Sequence, residues 1–148
     1  MIFDIQSFEG ALPLRFGMSP ADIARILGPT CAAASDAEGA LCYRYDSPPL
    51  NLTIRFGGEG ETADSFSFGR GSKVCFCGVD FFSKPSAWRD LPGLSSDCHE
   101  CMGSLVFCDF GISLTGFHDG DEAEQVVTVF PRDAWEGFRP KFKPIELT

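Results

Sequence analysis

Two similar stretches, FGMSPADIARILG at residues 16–28 and FFSKPSAWRDLPG at residues 81–93, decide how this chain folds. The aligned pairs, each 65 positions apart, are Pro20 with Pro85, Ile23 with Trp88, Ile26 with Leu91 and Gly28 with Gly93. At the same spacing, residues 41–45 align with residues 106–110. A repeat at a fixed spacing constrains the architecture more strongly than any single residue does, so we expect two related modules.

The first stretch carries the signals of a short helix at both ends. Ser19 is a suitable N-cap, Pro20 occupies the first helical position, and Asp22 stands three residues after the cap. Gly28 is the expected left-handed stop, and Pro29 prevents the helix from continuing. A helix of fewer than three turns is not stable alone in water, so it is predicted to dock on a sheet.

Alternating apolar and polar residues predict the strands. The clearest case is LNLTIRF at residues 50–56, where leucine, isoleucine and phenylalanine share one face. The other predicted strands are residues 41–45, 65–68, 73–80, 105–110, 112–117 and 125–130. The small polar residues 30–40 and the segment 93–103 are predicted to be loops, and the second helix, around residues 85–91, is weakened by Pro92.

These elements predict an α+β fold with two layers. Two tandem helix–loop–meander repeats, at about residues 12–70 and 78–131, would form one antiparallel sheet with short helices on one face. Residues 1–148 would make a single domain, because neither half buries enough apolar surface alone. The tail from Pro131 is predicted to be irregular, with Trp135 and Phe138 as its anchors.

Composition narrows the possible partners and compartments. The net charge of −9 argues against nucleic-acid binding, because phosphate would repel the chain. No apolar run approaches about 20 residues, so no membrane span is expected. The N-terminal residues lack the features of a signal peptide, which predicts a cytoplasmic protein whose seven cysteines stay reduced.

The stretch LRFGMSPADIARILG at residues 14–28 resembles the opening of many small bacterial proteins, and GVDFF at residues 78–82 resembles a second block in some of them. Several of those proteins look like immunity proteins of bacterial toxin systems. The helix-plus-sheet unit is similar to that of the lipoprotein BamE, and its tandem form resembles the β-lactamase inhibitory protein. This resemblance implies a cytosolic immunity-type protein whose inhibiting residues vary with the toxin, so no family site is transferred to this chain.

Four cysteines support an alternative. The C-x-x-C pair Cys98 and Cys101 and the C-x-C pair Cys75 and Cys77 have spacings that zinc sites use, and C-x-x-C also serves thiol redox chemistry. The competing interpretation is that these cysteines are small buried apolar residues. No nucleophile motif is present and His99 and His118 stand in no recognisable catalytic setting, so we expect neither an enzyme nor a cofactor.

Acidic loops are the predicted binding site. The residues are Glu59, Glu61, Asp64, Asp119, Asp121, Glu122 and Glu124. They fall in hairpin connections that the repeat makes equivalent, which predicts that they project from the same edge of the sheet. The predicted partner is a cognate protein toxin with a basic active-site surface, which this chain would occlude.

Overall fold

The structure is a computed structural model that describes residues 1–30, 32–48, 50–58 and 61–145. Within these residues the chain is α+β and consists mostly of strands. The strands are β1 (Ile2–Gln6), β2 (Gly10–Leu12), β3 (Leu14–Arg15), β4 (Ala32–Ser35), β5 (Leu41–Tyr45), β6 (Leu52–Gly57), β7 (Thr62–Gly69), β8 (Lys73–Phe76), β9 (Val79–Asp80), β10 (Cys98–Cys101), β11 (Ser104–Phe107), β12 (Ile112–Thr115) and β13 (Val126–Val129). The α-helices are α1 (Pro20–Leu27) and α2 (Leu91–Leu94).

Helix α1 begins and ends where the sequence predicts. The Ser19 hydroxyl accepts the backbone N–H of Asp22, and the Asp22 carboxylate accepts the backbone N–H of Ser19, both at 3.1 Å. This reciprocal capping box satisfies two N–H groups that the first turn leaves unpaired. Gly28 follows the helix at φ 84°, and Ile23 is fully buried in the core.

Eight strands form the large sheet, in the order β10-β11-β12-β13-β7-β6-β5-β4, and every neighbouring pair is antiparallel. One face, the inner face, carries the buried residues Leu52, Ile54, Phe66, Phe68, Leu105, Phe107, Ile112, Leu114, Val127 and Val129. The outer face carries mainly hydroxyl and charged side chains. This alternation is what a sheet with one covered face requires.

A second, smaller sheet contradicts the prediction of one antiparallel sheet. Its order is β3-β2-β1-β8-β9, and β1 pairs with β8 in parallel. Its apolar residues and the two α-helices join the core against the inner face of the large sheet. The physical reason is that α1 is too short to cover the inner face of the large sheet alone. Seven spacings of about 4.8 Å make this sheet roughly 34 Å wide, whereas the eight residues of α1 extend only about 12 Å.

Two strands were predicted to be loops. Strand β4, within the predicted loop 30–40, and strand β10, within the predicted loop 93–103, form the two edges of the large sheet. The predicted strand at residues 73–80 is divided into β8 and β9 by a turn. The second helical region is also different, because a 3₁₀ helix at Pro85–Asp90 precedes α2, and Pro92 lies in the first turn of α2 rather than interrupting a helix end.

The C-terminal segment covers part of the outer face. Its 3₁₀ helix, Glu136–Lys141, follows Trp135, which packs with Phe142 against buried Cys101, Val106 and Phe130. Lys143 and Glu100 exchange two backbone hydrogen bonds of 2.8 Å, which extend the sheet beyond β10. Trp135 is therefore an anchor as predicted, whereas Phe138 is 39% exposed. No helix in the described ranges has the length and apolar character needed to cross a bilayer.

Candidate functional site

Among the described residues, the acidic side chains predicted to share one edge of the sheet lie at its opposite ends. Strand β13 pairs antiparallel with β7, and Val126 stands opposite Gly69. The β12–β13 connection therefore lies at the end of β7, while the β6–β7 turn lies at its start, about 23 Å away along seven residues. The prediction of a single acidic edge is therefore wrong, because the two halves meet through the antiparallel strands β7 and β13.

At the β6–β7 end, some of the carboxylates form salt bridges within the chain. Asp64 accepts a 2.6 Å hydrogen bond from Arg55, whose guanidinium also contacts Asp36 at 3.0 Å and Glu38 at 3.3 Å. The backbone N–H of Ala40 is the main cause that lowers the pKa of Asp36, with Arg55 adding to it. Glu61 is exposed, and Glu59 lies outside the described residues. The sequence prediction missed Asp36 and Glu38, which the β4–β5 turn brings to this end.

The other four acidic residues form an exposed cluster that we call the acidic loop, residues 119–124. Asp119, Asp121, Glu122 and Glu124 are all exposed. Glu122 pairs with Arg70 at 3.1 Å, and the structure shows no other salt bridge to these four side chains among the residues it describes. Three of the four acidic side chains of this loop thus have no salt-bridge partner among the described residues.

A polar pocket of about 350 Å³ opens beside the acidic loop on the outer face. Its walls are Arg44, Asn51, Thr53, Ser67, Gly69, Arg70, Glu122, Ala123, Gln125 and Val126. Cross-strand pairing places Arg44 opposite Thr53 and Thr53 opposite Ser67, so one row of the outer face forms its floor. We call this site the Gln125 pocket.

Gln125 is a buried polar residue in the wall of this pocket. The residue is 6% exposed, and its Oε1 atom is buried without a hydrogen-bond partner in the described part of the chain. A buried acceptor that is left unpaired costs about 1–3 kcal/mol. The sequence offered no signal for this residue, because its burial results from the fold of the 116–125 connection over the sheet.

The four cysteines of the alternative prediction are not brought together. Cys98 packs with the main core on the inner face, whereas Cys101 is buried on the outer face, because a three-residue step along a strand reverses the side chain. Cys75 lies in the small sheet and Cys77 in an exposed turn. Within residues 1–30, 32–48, 50–58 and 61–145, no group of three or more His, Cys, Asp or Glu residues is placed to hold a metal ion.

His99 belongs to a network that holds the C-terminal segment, and His118 contacts Glu100 in β10. His99 contacts Asp97 at 2.6 Å and stacks on Phe142, with 4.7 Å between ring centroids. Asp97 also accepts hydrogen bonds from Arg139 at 2.7 and 3.3 Å, and these, with His99, lower the pKa of Asp97 to about 2. His118 is mostly buried, with its Nε2 atom 3.2 Å from Glu100. The network around Asp97 was not predicted from the sequence.

Comparison of the chain with protein-family models, with curated proteins and with solved structures found no match. The resemblance of residues 14–28 to immunity-type proteins therefore stays a prediction.

Proposed function

We propose that this chain is a cytoplasmic, bacterial immunity-type protein that neutralises a cognate toxin by binding over its active site. The observation that carries the proposal is the acidic loop, where four exposed carboxylates stand within six residues and Glu122 alone is compensated among the described residues. Such a loop is electrostatically complementary to a basic catalytic cleft. The resemblance of residues 14–28 to immunity proteins supports the same class of function.

Electrostatics explains what the acidic loop would contribute. Net charge of −9 gives the whole molecule a negative field, to which the four exposed carboxylates of the acidic loop contribute at one end of the sheet. Opposite charge on a partner raises the rate of encounter by 10-fold to 1,000-fold at low salt and suppresses unsuitable partners. Affinity then depends on contacts that exclude water around the charged pairs.

The large sheet supports the predicted duplication, which we propose as the origin of this shape. From each edge inward, the strands follow chain order, β4 to β7 in one half and β10 to β13 in the other. Ser67 and Thr128 meet where the halves join, with their hydroxyl oxygens 3.1 Å apart. A two-fold relation between the halves would place equivalent turns at opposite ends, as observed for the acidic residues. The small sheet does not follow this relation, because β1 and β8 run parallel.

The cysteine alternative receives no such support. A zinc or thiol-redox function would need Cys98 and Cys101 to present their sulfur atoms to one site, and they face opposite sides of the sheet. Burial also raises the pKa of the Cys75 thiol, which disfavours the reactive thiolate.

A rescue experiment tests the proposal. A toxin candidate encoded beside this gene is expressed alone and together with this chain, and growth and complex formation are measured. Protection with a stoichiometric complex supports the proposal, whereas no protection and no complex with any adjacent product would contradict it.

The electrostatic part has its own test in the reversal of Asp119, Asp121 and Glu124 to Lys. We expect association to slow by about tenfold or more at low salt, with a shallower dependence on ionic strength. Reversal of Glu61 and Glu38 at the other end is the control, and the two effects are compared per reversed charge. An equal effect of both reversals would contradict a specific role of the acidic loop.

A further inference from the structure

We propose that a pocket beside helix α1 binds a fatty carboxylate, with the alkyl chain inside the pocket and the carboxylate on Lys73. The pocket has a volume of about 260 Å³ and lies where the last turn of α1 meets the first residues of β1 and β8. Its walls include Met1, Phe3, Ile26, Leu27, Leu50 and Lys73, and we call it the Lys73 pocket. No described residue of its lining belongs to the acidic loop, so this ligand site goes beyond the proposed function.

The walls of the Lys73 pocket are apolar. Ile26 and Leu27 at the end of α1 and Leu50 before β6 are partly buried and pack at the margin of the main core. Apart from the lysine, the polar side chain among the described lining residues is Ser72. Its hydroxyl already donates to the Asn51 carbonyl at 2.9 Å and accepts the Asn51 N–H at 3.0 Å. The part of a ligand that enters is therefore apolar, and an alkyl chain suits a cavity that is smaller than most drug-sized sites.

Apolar surface beside the pocket is left uncovered. Met1, which lines the pocket, is 67% exposed, and the next residue, Ile2, is 61% exposed. Exposed apolar side chains that lie together at a concave site are typical of a binding surface. A bound alkyl chain removes part of this surface and its own surface from water. Each CH₂ group that is fully buried raises the affinity by about fourfold.

Lys73 supplies a cation to this apolar site. The residue is exposed, and its side chain forms no salt bridge within the part of the chain that the structure describes. Its ammonium group is therefore available to a carboxylate. Because the position is exposed, the carboxylate stays hydrated while the alkyl chain is buried, and the pairing carries little desolvation cost.

The neighbouring surface favours an anion over a cation. A second pocket, of about 220 Å³, shares Leu50 and Gly71 with the Lys73 pocket, and its lining contains Arg44, Arg70 and one aspartate. Among the described residues the two linings carry three basic side chains and one acidic side chain, in a chain with 12 basic and 21 acidic residues. The two arginines already contact carboxylates at 3.5 and 3.1 Å. The lysine is thus the cation that we assign to the carboxylate of the ligand.

The test is an NMR titration of the full chain with decanoate below its micelle concentration, in which the methyl signals are followed. We expect saturable shifts of the methyl signals of Ile26, Leu27 and Leu50. Leu94 and Met102, which are 66% and 63% exposed outside the pocket, report non-specific binding and should not shift. The affinity should rise by about two- to fourfold for each CH₂ group from hexanoate to decanoate, because each added group is wholly or partly buried.

Two substitutions separate the contribution of the charge from that of the alkyl chain. Lys73→Glu replaces attraction by repulsion and should weaken decanoate binding by about fivefold or more. Lys84→Glu makes the same change of charge at an exposed lysine outside the lining and is the matched control. Leu27→Gln removes apolar contact and should weaken binding by about three- to tenfold, and Leu94→Gln is its control.

Several results would overturn the site. They are the absence of a saturable shift, parallel shifts of Leu94 and Met102, and an affinity that does not depend on chain length. Equal affinity for decanol or for decyltrimethylammonium, or unchanged binding by Lys73→Glu, would overturn the assignment of the carboxylate. The chain-length series uses the unaltered protein, so it decides the alkyl part even where Leu27→Gln destabilises the fold. A chain that protects against a toxin but does not bind decanoate keeps the immunity function and loses this site.

Discussion

Asp97→Asn should weaken the attachment of the C-terminal segment in a way that depends on pH. The Asp97 carboxylate accepts two hydrogen bonds from Arg139 and one close contact from His99, and Asn can satisfy these donors only in part. The lowering of the Asp97 pKa from 3.8 to about 2 corresponds to roughly 2 kcal/mol of preference for the charged form. Because the Arg139 side chain is 39% exposed, solvent screening reduces the expected loss at pH 7 to about 1–2 kcal/mol.

The sign of the pH dependence follows from the direction of that shift. A carboxyl with a depressed pKa in the folded state contributes stability above its unfolded pKa of 3.8, and that contribution is lost as pH falls towards 2. At pH 2 only a small part of this contribution would remain, because about half of the folded molecules carry a protonated Asp97 there. The free energy of urea unfolding of the unaltered chain and of Asp97→Asn should therefore differ at pH 7 and nearly coincide at pH 2.

Asp90→Asn is the control, because the structure shows no hydrogen bond or salt bridge of the exposed Asp90 side chain within the described ranges. It should change the free energy of unfolding by less than about 0.5 kcal/mol at either pH. Equal destabilisation of Asp97→Asn at pH 7 and pH 2, or none at pH 7, would refute the proposed role of the Asp97 charge.

Three further substitutions test packing, turn geometry and the buried acceptor by urea or thermal unfolding. Trp88→Ala should lower the free energy of unfolding by about 3–5 kcal/mol, since this side chain is 3% exposed in the main core. A decrease of less than about 1 kcal/mol would contradict its core role. Gly116→Ala should cost more than Gly120→Ala, because both have positive φ but only at Gly116 would a Cβ meet backbone atoms, at 2.7 Å; equal losses would exclude the steric cause. Gln125→Met should stabilise the fold by about 1 kcal/mol, raising the melting temperature by roughly 2–4 °C, because it removes an unpaired buried acceptor; a lower melting temperature would show that Oε1 is satisfied.

Signals between residues close together in the sequence predicted helix α1 and the buried face of strand β6. The capping box of Ser19 and the stop at Gly28 depend on neighbours within one turn of α1, and the structure confirms both. The alternation in residues 50–56 predicted the buried face of β6, because one side chain in two must enter the core. Trp88, which the repeat aligns with Ile23, is buried in the core as Ile23 is.

Edge strands were beyond the reach of such signals. All four residues of β4 are exposed, so no alternation marks it as a strand. It exists because its backbone pairs with β5, and β10 likewise pairs with β11. The same lack of alternation predicts a loop around the C-x-x-C pair, whereas its position on strand β10 places Cys98 and Cys101 on opposite faces of the sheet.

The sequence by itself determined the positions of the acidic residues, the ends of helix α1 and the strand faces that enter the core. Charge, capping and alternation depend on residues that are only a few positions apart. Only the tertiary structure decided that the acidic residues separate to opposite ends of the large sheet and that Gln125 is buried beside one group of them. Both outcomes come from the antiparallel pairing of β7 with β13, a contact between segments some 60 residues apart. Its direction and register depend on how the two halves pack around one core.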